Sequence, residues 1–360
     1  MLFNSFGFFG LFVRGGCLQD AASGYSLEFI DRNQRQYSQM IKERLYYFDT
    51  IKFILILFVI IQHCSTPYLT LMDSEWTKDF YCIMPYRMSL FTMISGYFFR
   101  ERTLVHRINT YLIPCIVFSI IYLCLQRISP IPFIHDRPIS QLGYAMWYLY
   151  VLFFYNIFTQ MLKKIPTLIL LCGSIALALL TCKQDFFWEY NFQISRLISN
   201  YPFFLLGILI CEKQLLRFRE NKKVRYLAFF LFLFCIVGNY LLCKFAGLGC
   251  FISAFSSPIS RNGELYGILM CSIMSFCVLL FFPNKHYAIT PYGRNTFAPY
   301  VLHMCLVYPI CWTLCIPYMN TWYGLIINMV VTPLLCLLLF HPKVNEVLNK
   351  LLGYIHIKSK

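Results

Sequence analysis

Apolar residues run through this chain in long blocks with short polar breaks between them. Ten blocks approach the roughly 20 residues that a helix needs to cross a hydrocarbon core. They cover residues 47–66, 81–99, 109–127, 145–162, 166–182, 199–212, 226–243, 264–282, 296–316 and 322–341. Some are short or contain proline, so their ends are set only to within a few residues. The pattern predicts an all-α integral membrane protein, a bundle of about ten transmembrane helices.

The first block breaks its own rule. FDTIKFILILFVIIQHC (48–64) carries Asp49, Lys52 and His63. A helix turns about 100° and rises about 1.5 Å per residue, which puts Lys52 and His63 on one face about 16 Å apart, with Asp49 beside Lys52. Such a stripe is costly against lipid, so it is expected to face the bundle interior or a water-filled cavity. The plainer alternative makes Asp49 and Lys52 snorkelling interfacial residues and His63 a hydrogen-bonder between helices.

Composition supports the membrane reading. The 360-residue chain is 59% hydrophobic and 13% charged, where soluble domains carry about 25% charged residues. Its net charge of +15 invites nucleic acid as a partner. Sorting the 31 Lys and Arg over alternating loops removes that reading, because 22 fall on one side and 7 on the other, with Lys52 and Arg87 inside blocks. By the positive-inside rule both termini are cytoplasmic. The 17 cysteines form no CxxC pair and no Cys/His cluster at zinc spacing, so they read as small buried hydrophobes rather than metal ligands. Residues 1–40 read as a poorly ordered or interfacial extension, since MLFNSFGFFGLFV is too short to span and lacks the positive start of a signal peptide. The transmembrane domain is expected over 41–345, with a cytoplasmic tail at 346–360.

Further polar positions follow. Arg87 stands about six residues into the second block, at roughly the depth of His63, and Ser95 stands at that block's other end. The basic stretch RERTLVHR (100–107) is either a topology signal or a seat for an anionic cytoplasmic ligand.

These residues resemble the membrane-bound acyltransferase 3 family of bacterial glycan O-acyltransferases. The resemblance rests on Phe48–Asp49, Lys52 and His63, then SGYFF (95–99), MWYLYVLFF (146–154), YPFFLLG (201–207) and GRNTFAPYVLH (293–303), in family order across 46–341. It implies a multi-pass enzyme of the bacterial inner (cytoplasmic) membrane. Such an enzyme moves an acyl group, commonly acetyl, from cytoplasmic acyl-CoA to a sugar hydroxyl of a cell-surface or lipid-linked glycan. The resemblance implies acyl-CoA, commonly acetyl-CoA, as a co-substrate, with no permanently bound cofactor. Two positions depart from the family: Thr110 stands where many relatives complete an Arg-x-x-Arg begun here by Arg107, and Gly143 stands where some carry Ser.

Acyl transfer to an alcohol needs a base, a group to stabilise the oxyanion and a thiolate leaving group. His63 is the expected base, since imidazole titrates near neutral pH. Lys52 is too distant for a direct proton relay, and with Asp49 is expected nearer the donor entrance. Arg87 is the candidate for oxyanion or acceptor stabilisation. Arg107, Arg102 and Arg100 are candidates for CoA phosphates, Arg107 foremost. Trp147 and Tyr148 either stack on a sugar or belong to the aromatic belt. His303, placed in the inner half of the ninth block, either lines the CoA channel or is structural. A polytopic transporter of a glycan or lipid-linked intermediate is the competing reading, because intramembrane Lys, His and Asp also build proton relays. A non-catalytic scaffold would tolerate loss of Asp49, Lys52 and His63 together.

Overall fold

The computed structural model describes residues 46–127, 146–181, 194–245, 261–355 and 357. The extension expected over 1–40 lies outside them. Thirteen helices and no strand are found among the described residues. In chain order they are α1 (Tyr46–Met72), α2 (Glu75–Ile83), α3 (Arg87–Tyr97), α4 (Leu104–Arg127), α5 (Trp147–Met161) and α6 (Thr167–Thr181). There follow α7 (Ile194–Leu209), α8 (Glu212–Glu220), α9 (Lys222–Phe245), α10 (Arg261–Phe281), α11 (Phe297–Leu314), α12 (Trp322–Phe340) and α13 (Pro342–Gly353). Five of these, α1, α4, α9, α11 and α12, are long and apolar enough to cross a membrane.

The second apolar block is not one helix. Pro85 lacks an N–H and forces the residue before it out of the helical region, and Met84 accordingly sits at φ −121°, ψ 49°. The block divides into α2 and α3, so Arg87 opens a helix instead of lying inside one. At the chain's other end, α13 runs through the expected boundary at 345 and buries Leu348 and Leu352.

The long helix α1 is the axis of the molecule. Its 27 residues extend about 40 Å and end at Asp73, whose φ of 49° is left-handed. One side of α1, with Phe53, Ile56, Ile60 and Cys64, packs into a cluster shared with α4, α5, α11 and α12. The other side, with Tyr47, Phe48, Ile51 and Leu55, packs into a cluster with α3, α7, α9 and α10. Peripheral helices turn apolar side chains outward, Leu180, Phe230, Phe234 and Leu338 among them, as a lipid-facing surface requires.

The direction of α3 follows from its ends. Arg87 meets Gln62 of α1, while Phe98, just past Tyr97, packs on Phe48. Helix α3 is therefore antiparallel to α1, and the basic stretch after it lies at the Asp49 end. Helices α3 and α7 cross at backbone contact: a Cβ on Gly96 would overlap the Phe204 carbonyl, and one on Gly207 the Met93 carbonyl. Small residues permit such approach where two apolar helices would otherwise be held apart by side chains.

Candidate active site

The Asp49 end is built by a turn from far along the chain. Asp49 occupies the first turn of α1, where the helix dipole favours an acid. Lys52 Nζ lies 2.9 Å from Asp49 Oδ1, and Arg294 Nε lies 3.8 Å from Asp49 Oδ2. Arg294 ends a 3-10 turn, Thr290–Arg294, that seats on α1 through a 2.8 Å hydrogen bond between the Thr50 and Thr290 hydroxyls. Gly293 presses on Asp49's own carbonyl, a contact that leaves no room for a Cβ. Two cations thus share one carboxylate. A double-mutant cycle on Asp49→Asn and Lys52→Met is expected to return a coupling of about 0.5–3 kcal/mol in thermal unfolding, and additive effects would mean that the pair is not held.

The His63 end lies eleven residues further along the same unbroken helix, about 16 Å away. Proline at 67 removes the N–H that would bond the carbonyl of His63, so the helix ladder is interrupted at this residue. The His63 ring faces His303, with centroids 5.2 Å apart and planes inclined by 40°. His303 is 1% exposed. Its Nδ1 lies 3.0 Å from the Pro299 carbonyl and 2.7 Å from the Tyr300 carbonyl. Two acceptors at Nδ1 assign the proton to that nitrogen, which leaves Nε2 as a lone-pair acceptor. That Nε2 is buried with no partner among the described residues. From the sequence His303 either lines the CoA channel or is structural; the ring contact sets it beside His63, with Gly293, just before α11, at Asp49.

Two arginines flank the imidazoles. Arg87 donates from Nε to Gln62 Oε1 at 2.6 Å and from Nη1 to the Met84 carbonyl at 2.6 Å, with its guanidinium 5.2 Å from the centre of the Tyr81 ring. Arg196 lies 5.1 Å over the Trp147 ring and, like Arg87, within electrostatic reach of His63. In the sequence Arg196 stands only as a loop charge, Arg294 as a loop charge within the GRNTFAPYVLH motif, and Gln62 is not singled out. Their positions at the start of apolar blocks or inside one were the available signals.

Between the two ends stands Tyr148. It is 3% exposed, and its hydroxyl shares a 2.6 Å hydrogen bond with Ser95 and donates to the Phe91 carbonyl at 3.1 Å. A side chain so enclosed presents no face to a sugar, and Ser95 is committed to it; of the aromatic pair, Trp147 alone stays partly open. At the far end of α5, Gln160 accepts a hydrogen bond from Arg107 Nη2. Arg107 is 4% exposed, and its Nε is buried without a hydrogen-bond partner among the described residues. Glu101, Arg102, Thr103, His106 and Gln160 line an open cavity of about 450 Å³ beside it. Arg100 is exposed and is not part of that lining.

One helix therefore joins a basic edge to an imidazole pair of which His303 is buried. A family model described as an acyltransferase domain matches residues 45–341, which takes in both ends of this arrangement. The chain belongs to the acyltransferase 3 family. No curated protein and no solved structure matches it. The matched span of this membrane acyltransferase contains Asp49, Lys52, His63, Arg87, Arg107 and His303, together with Arg196 and Arg294. It stops at His341, the N-cap of α13.

Proposed function

We propose that this acyltransferase moves an acyl group, acetyl in the simplest case, from cytoplasmic acyl-CoA to a sugar hydroxyl of a surface or lipid-linked glycan. The observation that carries the reading is the His63–His303 imidazole pair at one end of α1, with a cavity-lined basic edge at the other. On this reading the Asp49 end faces the cytoplasm of a bacterial inner membrane and the ten apolar blocks form the bundle, both termini inside. Arg107, Arg102 and their cavity take the anionic part of CoA, since guanidinium groups match phosphate geometry. The pantetheine arm then has about 16 Å to reach along α1.

At the far end His63 withdraws the proton of the acceptor hydroxyl as its oxygen bonds the acyl carbon. His303 Nε2 accepts a hydrogen bond from His63 once that ring is protonated. Arg87 steadies the acceptor beside His63. The C–S bond breaks with its electron pair leaving on the CoA sulfur, and the imidazolium returns its proton to that thiolate. Atoms and charge balance with free CoA and an acylated sugar as products.

Membranes holding the protein, given labelled acetyl-CoA, are expected to label surface glycan, seen by mass spectrometry as an added acetyl. Glycan transport in proteoliposomes without acyl-CoA, and no label, would sink the proposal in favour of a transporter. In the same assay Arg107→Gln is expected to raise the KM for acyl-CoA by about tenfold or more, as loss of one charge-assisted contact implies, with a smaller change in kcat. A KM within twofold of the unaltered protein would remove Arg107 from the donor site.

A further inference from the structure

The His63 end holds Arg87, a buried guanidinium with which no carboxylate pairs among the described residues. Several other cations among the described residues are matched: Lys52 with Asp49, Lys78 with Asp73 and Glu75, and Lys244 with Glu75 and Asp79. Most of those pairs are exposed, where an ion pair contributes little. Arg87 is only 6% exposed, where an uncompensated charge is most costly. Yet its partners are the neutral Gln62 amide, the Met84 carbonyl and the Tyr81 ring. No carboxylate pairs with it among the described residues, and its Nη2 makes no hydrogen bond there.

The backbone around Arg87 strengthens the positive field. Arg87 opens α3, an 11-residue helix with no acid in its first turn and no side-chain cap. A helix N-terminus carries partial positive charge and attracts anions. The carbonyl of Met84, which ends the shorter α2, offsets only part of it. The buried Arg219 shows the opposite arrangement: it donates to the Leu279 and Phe282 carbonyls, at the end of α10 where the dipole is negative. Arg196 lies over Trp147, and His63 and His303 contribute no negative charge.

We propose that the acceptor carries a counter-charge for Arg87: a carboxylate or phosphate on the sugar docks on Arg87 and holds the neighbouring hydroxyl against His63. The acceptor class is thus an acidic or phosphate-bearing sugar, and this inference rests on the acyltransferase reading above. Docking on Arg87 uses Nη2, the nitrogen that makes no hydrogen bond among the described residues. The indole of Trp147 supplies an apolar face for the ring beside it.

The test is equilibrium binding to the purified full-length protein in detergent without acyl-CoA, using methyl glucuronide, glucose 1-phosphate and methyl glucoside as probes. At least one charged sugar is expected to bind about tenfold or more tighter than the neutral one, the scale of a charge-assisted hydrogen-bond pair. Glucuronide preference alone assigns a carboxylate, and phosphate preference alone assigns a phosphate. Arg87→Gln is expected to bring the preference to within about threefold, and Arg87→Lys, which keeps the charge but not the fork, to an intermediate value. Equal binding of all three probes, or a preference that survives in both variants, overturns the proposal. Because binding is read without the donor, a failure of acyl transfer would count against the proposed function and leave this result distinct from it.

Discussion

Replacement of His63 by alanine lowers acyl transfer by about 10²–10⁴-fold, the usual contribution of a positioned general base, while the protein still reaches the membrane. The expectation rests on three features. His63 is the imidazole on α1, the central helix; its ring faces a second imidazole of assigned tautomer, and two guanidinium groups flank it. None of these features holds the fold together. Alanine is the best helix former, so α1 loses no helical propensity at that position, and His63 is only half-buried. The measurement is the rate of label transfer from acetyl-CoA to glycan in membranes matched for protein content. A variant that keeps half or more of the normal rate would end the assignment of His63 as base. His303→Ala is informative beside it: loss of a proton-sharing partner reduces kcat and shifts the pH profile, whereas loss of a packing residue would lower protein yield alone.

Substitution of Gly207 by leucine removes the folded protein. At this crossing the backbone of α7 lies on the backbone of α3, and a Cβ on Gly207 would overlap the Met93 carbonyl. A rotamer change cannot relieve a clash with main chain, so the two helices must separate along one of the most closely packed interfaces in the molecule. Separation would also loosen the hold of α3 on Arg87 and so disturb the His63 end. The expected loss is about 3 kcal/mol or more, at or above the upper range for overpacked cores. Thermal unfolding in detergent, or the yield of monodisperse protein, reports it. Gly173→Leu and Gly238→Leu are the controls, since a Cβ at either position meets nothing within 4 Å. Their helices gain propensity on losing glycine. Equal tolerance at 207 and at the two control positions would refute the crossing.

Much of the α1 arrangement was legible in advance because it is local. Asp49, Lys52 and His63 lie on one helix, and helix geometry alone fixes which face they share and how far apart they stand. The salt bridge between Asp49 and Lys52 follows from spacing three residues apart. The break at Pro85 was legible in principle, from the missing N–H and the restricted residue before it, though apolar content alone joined α2 to α3. Tyr148 and its neighbour Trp147 share one composition signal. Only packing shows that one ring is enclosed by Ser95 and Phe91 while the other stays partly open.

By itself the sequence determined a helical membrane protein with a polar stripe on its first helix and a basic edge after the second apolar block. The tertiary structure decided what joins that stripe: His303 at His63, Arg87 and Arg196 around them, and Arg294 on Asp49. Most of these partners lie far along the chain from α1, and their pairing leaves no periodic mark. In a soluble bundle an apolar stripe separates the buried face of each helix from the wet one. Against lipid both faces are apolar, so helix pairing depends on close backbone approach and a few polar contacts. Those contacts, Gly96 and Gly207 at the crossing and Thr50 with Thr290 at the Asp49 end, exist only once the helices have met.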